Sequence, residues 1–256
     1  MMRLLVLAFA AFFAGGLLAP APARPQEALR PSGVGEAGQE LAERLRSSRP
    51  AENSEYQGLL KIRAREADPR AVPLRCRIIV GESNWKALYE TAPTNQLAPE
   101  KLVIVHWPDR PNEYWYARGS GTGSAPSEPV LLTSAQTAVP FAGSDFWLVD
   151  LGLDFLHWPS QRVLRTEMRK GRVCHVLESS HPLVTPSLYA RVVSWLDKET
   201  GGPVLAEGYD RENKLIKEFS IRSFKNVDGR WQLQEMEIRS PRTGSRTRLE
   251  FKFKPE

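Results

Sequence analysis

Over most of the chain apolar and polar residues alternate with a period of two, the repeat of a strand that has one face on a core and one in water. In residues 214–224, Leu215, Phe219 and Ile221 share one phase, while Lys214, Glu218 and Arg222 share the other. In the last such run Leu249, Phe251 and Phe253 alternate with Arg248, Glu250, Lys252 and Lys254. Similar runs occur at 56–66, 73–81, 84–90, 101–107 and 112–118, and again at 188–197, 203–209, 231–239 and 246–254. The stretch RVLRTEMRKGRVCHVLES reads as a hairpin with Lys170-Gly171 at its turn. KETGG, Asp228-Gly229 and SPRTGS mark further turns. Between Leu233 and Met236 the apolar phase slips, which predicts a bulge near Gln234 and Glu235 and a bent sheet. The sum is a mainly β (α+β) domain, an antiparallel meander with a concave apolar face.

Two segments break the period. Residues 36–48 place Leu41 and Leu45 one turn apart on a charged helix that Pro50 ends. Residues 144–158, SDFWLVDLGLDFLHW, are apolar around almost the whole circumference of a helix. Ser144 is placed to cap it, Asp145 suits its first turn, and Pro159 stops it. Such a helix needs cover on more than one side, so it is expected to lie inside the bent sheet or over its groove. Phe146, Trp147, Leu148, Leu151, Phe155 and Trp158 are the expected lid or ligand-binding residues.

The N-terminus changes the compartment. Arg3 precedes an apolar run from Leu4 to Ala14, and Ala21-Pro22-Ala23 supplies a small-x-small cleavage site. Residues 1–23 are read as a Sec-type signal peptide, 24–35 as a Pro/Gly-rich flexible linker, and 36–256 as one folded domain. No cysteine precedes Cys76, so there is no lipobox. The expected location is the periplasm of a bacterium. Without Arg3 the net charge falls from +5 to +4, and no basic cluster with aromatic partners speaks for nucleic acid. Cys76 and Cys174 both sit in β-like runs; in an oxidising compartment they either form a disulfide or stay as two buried thiols.

Catalytic chemistry is not visible. His106, His157, His175 and His181 have no metal-ligand spacing, and Cys174 and His175 point to opposite faces of one strand. GSGTGSA lacks the Lys-Ser/Thr of a phosphate loop, and no Gly-x-Ser-x-Gly elbow occurs. Asp150 and Asp154, four apart, read as a carboxylate pair or as the polar edge of the apolar helix. Seven tryptophans pack the core or girdle the sheet, with pocket contact expected for those of the apolar helix and its facing strands. No enzyme activity, cofactor or metal is expected.

The C-terminal half carries a recognisable motif series. It comprises Trp195-Leu196-Asp197, Tyr209-Asp210, the strand from Lys214 to Phe219, Asp228-Gly229-Arg230-Trp231, Met236, and Thr243-Gly244 with Thr247. Upstream stands the GSDFWLVDL segment, Gly143 to Leu151. This series resembles the LolA-like outer-membrane lipoprotein-sorting family over residues 140–253, and more loosely over 36–118. The resemblance implies a half-open antiparallel β-barrel, here of about 10–11 strands, with helices covering its concave face. It also implies a monomeric periplasmic carrier for lipid or acylated lipoprotein cargo, with membrane-bound donor and acceptor proteins. The rival reading is a non-catalytic envelope scaffold whose groove is filled by its own helix.

Overall fold

The computed structural model describes residues 4–5, 34–95, 97–121, 124–181, 189–227 and 230–253. The alternating runs become strands. The first half contributes β1 (Ser54–Arg63), β2 (Arg70–Val80), β3 (Trp85–Thr91), β4 (Glu100–His106), β5 (Glu113–Arg118) and the two-residue β6 (Val130–Leu131). The second half contributes β7 (Ser160–Arg169), β8 (Arg172–Ser180), β9 (Arg191–Asp197), β10 (Pro203–Tyr209), β11 (Leu215–Val227), β12 (Arg230–Ser240) and β13 (Ser245–Lys252). Lys170 and Gly171 turn the β7–β8 hairpin with φ of 50° and 75°, the positive values a two-residue turn needs.

All thirteen strands join one antiparallel sheet in the order β6-β5-β4-β3-β2-β1-β13-β12-β11-β10-β9-β8-β7. The count exceeds the expected 10–11, in part because Val130 and Leu131 add an edge strand that shows no periodicity in sequence. Leu4–Leu5, in the predicted leader, lie parallel beside Trp231 and Gln232. The Asp228-Gly229 turn, the 24–33 part of the linker and Leu188 fall outside the described residues. Each half is a meander, and the two meet where β1 pairs with β13, Leu60 opposite Leu249. The predicted bulge is present and has a counterpart. Pairing runs Ile221 to Met236, Ser223 to Glu235 and Phe224 to Leu233, so Arg222 and Gln234 each stand out of the ladder.

Strands β6 and β7 are the two free edges of the sheet, yet they are consecutive in the chain. The connection 132–159 must therefore travel from one edge to the other. It does so across the concave face, and its apolar residues join the inner faces of both half-sheets in one core. Phe141, Phe146, Leu148 and Leu151 are at most 2% exposed there. Helix α1 (Val34–Arg46) covers the β7 edge. Leu41, Ala42 and Leu45 enter the core, and Gly38 lies so close to the Gln161 carbonyl that a Cβ there would come within 2.2 Å of the oxygen.

The crossing segment is not the single helix expected over 144–158. It is a 3-10 turn (Phe141–Gly143), a five-residue α2 (Leu148–Gly152) and a second 3-10 turn (Asp154–His157), with Leu153 left-handed at φ 53° between the last two. One straight helix would turn half of these apolar side chains away from the sheet. Short turns aim them inward from both sides of each kink. Ser144 does not cap a helix: its hydroxyl accepts from the Phe146 N–H at 3.1 Å, and Trp147 takes the N-cap position.

Candidate functional site

The crossing segment is fixed to the sheet by polar residues set among apolar ones. At its entry, Asp145 does not serve a helix dipole. Its carboxylate accepts from the Thr247 hydroxyl at 2.8 Å and from the Ser245 hydroxyl, while its N–H donates to Thr247 Oγ1 at 2.9 Å. Thr247 is fully buried in the inward phase of β13. Two segments of the motif series, 102 residues apart, thus meet as one contact.

The second fixture lies deeper. Asp150 accepts from the Tyr189 hydroxyl at 2.7 Å and from the backbone N–H of Trp147 at 2.8 Å, and it pairs with Lys217 Nζ at 3.0 Å. The side chains of Lys217 and Asp150 are only 6% and 12% exposed. The ammonium also sits 3.4 Å from the centre of the Trp147 ring, which stacks on Tyr189 at 5.0 Å. Burial pulls the Lys217 pKa down to about 8, against the opposing pull of Asp150. Gly208 on β10 lets the Tyr189 ring lie against the sheet, since a Cβ would come within 2.5 Å of it.

At its exit the segment leans on β5. Tyr114 donates to Asp154 at 3.3 Å, Asn112 donates to the Gly152 carbonyl at 2.9 Å, and a Cβ on Gly152 would stand 2.1 Å from the Tyr114 oxygen. Asp150 and Asp154 therefore serve different partners and do not form a working carboxylate pair.

Beneath the segment is a partly open apolar cavity of about 50 Å³. Its walls come from Phe146, Val149, Leu153, Phe155 and Trp158 on one side, and from Tyr189, Val192, Ala206, Phe219 and Ile238 on the other. Asp150 and Lys217 are its charged wall groups among the described residues. Of the six residues expected from sequence, Phe146, Phe155 and Trp158 line it. Trp147 stacks at its rim on Tyr189 and Lys217, and Leu148 and Leu151 are buried in the surrounding core. Lys217 was not foreseen, although it falls in the inward phase of β11 with Phe219 and Ile221, an unusual place for a lysine.

A second cavity of about 20 Å³ lies between α1 and β4, lined by Leu45, His106, Trp107, Asn112 and His157 among others. His106 Nε2, Trp107 Nε1 and Asn112 Oδ1 are buried there with no hydrogen-bond partner among the described residues. The space suffices for a water. Trp85 stacks on His106 at 3.7 Å, and burial lowers the His106 pKa to about 3. Cys76 belongs to the inner core and Cys174 to a separate cluster with Val176 and Trp195; both thiols are free and buried. Among the described residues no cluster of three or more His, Cys, Asp or Glu could hold a metal ion.

Residues 126–253 match the model of a family described as "Uncharacterized protein", and the matched stretch is half of the chain. The chain belongs to that family. A search of curated proteins finds no match. Among solved structures, a DUF1329 family protein from Desulfovibrio piger is 19% identical and superposes with a TM-score of 0.70 over 86% of this chain and 92% of its own. A domain assigned to outer membrane lipoprotein sorting from Vibrio parahaemolyticus is 22% identical, with a TM-score of 0.67 over 85% and 91%. A LolA superfamily protein from Nitrosomonas europaea is 16% identical, with a TM-score of 0.55 over 87% and 93%. At these identities the likeness is one of fold: the open antiparallel sheet is a half-barrel similar to that of the LolA superfamily protein. Other motif residues act in turns. Asp197 accepts from Arg172 and Thr200, each at 2.6 Å, and Asp210 accepts from the Lys214 N–H at 2.8 Å.

Proposed function

We propose that this protein is a periplasmic carrier that shelters the acyl chain of a lipid or lipoprotein on its concave face, beneath the 141–158 segment acting as a lid. The observation that carries the reading is the construction of the lid. Its inner side is apolar, yet it is held by discrete polar contacts at Asp145 and Asp150. An acyl chain can replace the contacts of Phe146, Leu153, Phe155 and Trp158 with the sheet, and each CH₂ removed from water contributes about 0.8 kcal/mol. A lid that must be displaced lowers affinity and favours release, as delivery requires. The leader read in residues 1–23 would export the chain, and delivery would need membrane-bound donor and acceptor proteins.

A second reading has its own support. Ligand pockets usually measure about 300–1,000 Å³, and this cavity holds about 50 Å³. On that reading the lid is a permanent filling and the protein a scaffold of the envelope. Native mass spectrometry on protein purified from a bacterial periplasm separates the two. Adducts with lipid masses, removed on delipidation and regained on mixing, support the carrier. A bare mass that takes up no lipid rejects it in favour of the scaffold.

A further inference from the structure

The lid holds its own carboxylate against the groove. Asp150 meets two sheet-borne donors, the Tyr189 hydroxyl at 2.7 Å and Lys217 Nζ at 3.0 Å. Both donors belong to the wall that stays behind when the lid leaves, since Lys217 stands on β11 and Tyr189 runs into β9. The rest of that wall is apolar: Val192, Ala206, Phe219 and Ile238. An occupant that displaces the lid therefore inherits a cation and a hydroxyl donor in an apolar trough. A neutral acyl ester offers only a carbonyl oxygen and leaves the ammonium, 6% exposed in the closed protein, without a counter-charge. An occupant with one small planar anion at the end of an apolar chain restores what Asp150 supplied.

Resting on the carrier reading above, we propose that the preferred occupant is a long-chain fatty carboxylate, its carboxylate taking the place of Asp150 on Lys217 and Tyr189. Asp150 mimics this headgroup in the closed protein and so competes with it. The choice of a carboxylate over a phosphodiester follows from the contact it replaces, which is that of one carboxylate on Lys217 and Tyr189.

The test uses the full processed protein, delipidated, titrated with hexadecanoic acid, its methyl ester and phosphatidylglycerol by displacement of a fluorescent probe. The acid should bind at least about tenfold tighter than the ester, the size expected of one charge-assisted contact. Lys217→Met should bring the two within about threefold by lowering affinity for the acid, and Lys217→Arg should keep the preference. Carboxyl-labelled acid should show a carbon shift in the wild type that moves in Lys217→Met and in Tyr189→Phe, which removes the second donor without touching the charge. Equal affinity for acid and ester in the wild type overturns the proposal, as does a preference that survives Lys217→Met in a folded variant. Tighter, Lys217-dependent binding of phosphatidylglycerol replaces the carboxylate with a phosphate. Failure of all three lipids to bind sinks the carrier reading itself, and this proposal with it.

Discussion

On the carrier reading, replacing Asp150 by alanine should loosen the lid before it loosens the domain. The side chain accepts three bonds, from Tyr189, Trp147 and Lys217. Removing one partner of a buried ion pair costs about 3–5 kcal/mol. The low end applies here, because Lys217 can shed its proton: with a pKa of about 8, neutralising it at pH 7 costs about 1.4 kcal/mol per unit. A loss of about 3 kcal/mol from the closed state raises the open population by roughly 150-fold. The apparent affinity for an acyl ligand rises by up to the same factor, until the open form dominates. Hydrogen exchange reads the first quantity at lid amides such as Leu148 and Val149, which donate to the carbonyls of Val139 and Thr137 at 3.1 and 3.2 Å. Probe displacement reads the second. Had the contact belonged to the global core instead, the same loss would lower the melting temperature by about 6–12 °C, at 2–4 °C per kcal/mol for a domain of this size. Unchanged lid exchange and unchanged affinity together with such a drop would refute the latch.

Three further outcomes follow from the geometry. Gly152→Ala places a methyl 2.1 Å from the Tyr114 oxygen; thermal melts should show a loss of about 1–3 kcal/mol, part of which Tyr114→Phe recovers in the double variant. Burial raises the Asp154 pKa from 3.8 to about 6, so this group's contribution to stability is complete below about pH 4 and is lost as pH rises through about 6. Asp154→Asn, which keeps an acceptor for Tyr114, should therefore be more stable than the wild type at pH 7, by at most about 3 kcal/mol, with the gain gone at pH 4; denaturant midpoints at the two pH values decide it. Neither cysteine should react with a thiol reagent in the folded protein, since both are fully buried and burial pushes the Cys76 thiol up; two equivalents should react after unfolding without reductant, and a reading of none would demand a disulfide.

The features legible in the residues alone are local. A period of two placed the long strands, Lys170-Gly171 marked a hairpin, and the slip between Leu233 and Met236 located a bulge. These features depend on neighbours in the chain, and the side-chain alternation of a strand is the same wherever the strand lies. The stretch 144–158 showed from composition that it must be covered, and it is covered. Its shape was decided elsewhere. A helix was the best local reading of those residues, but Thr247 holds Asp145, Tyr114 presses on Gly152, and Lys217 and Tyr189 hold Asp150. Those partners lie 38 to 102 residues away in sequence, and only the sheet order brings them together. The same holds for the cysteines, whose separation into two clusters depends on which face each strand presents. Lys217 shows the boundary most clearly. Its phase was readable in the sequence, but its partner was not, because an ion pair between the crossing segment and the sheet exists only once the chain has joined both edges of the sheet across its concave face.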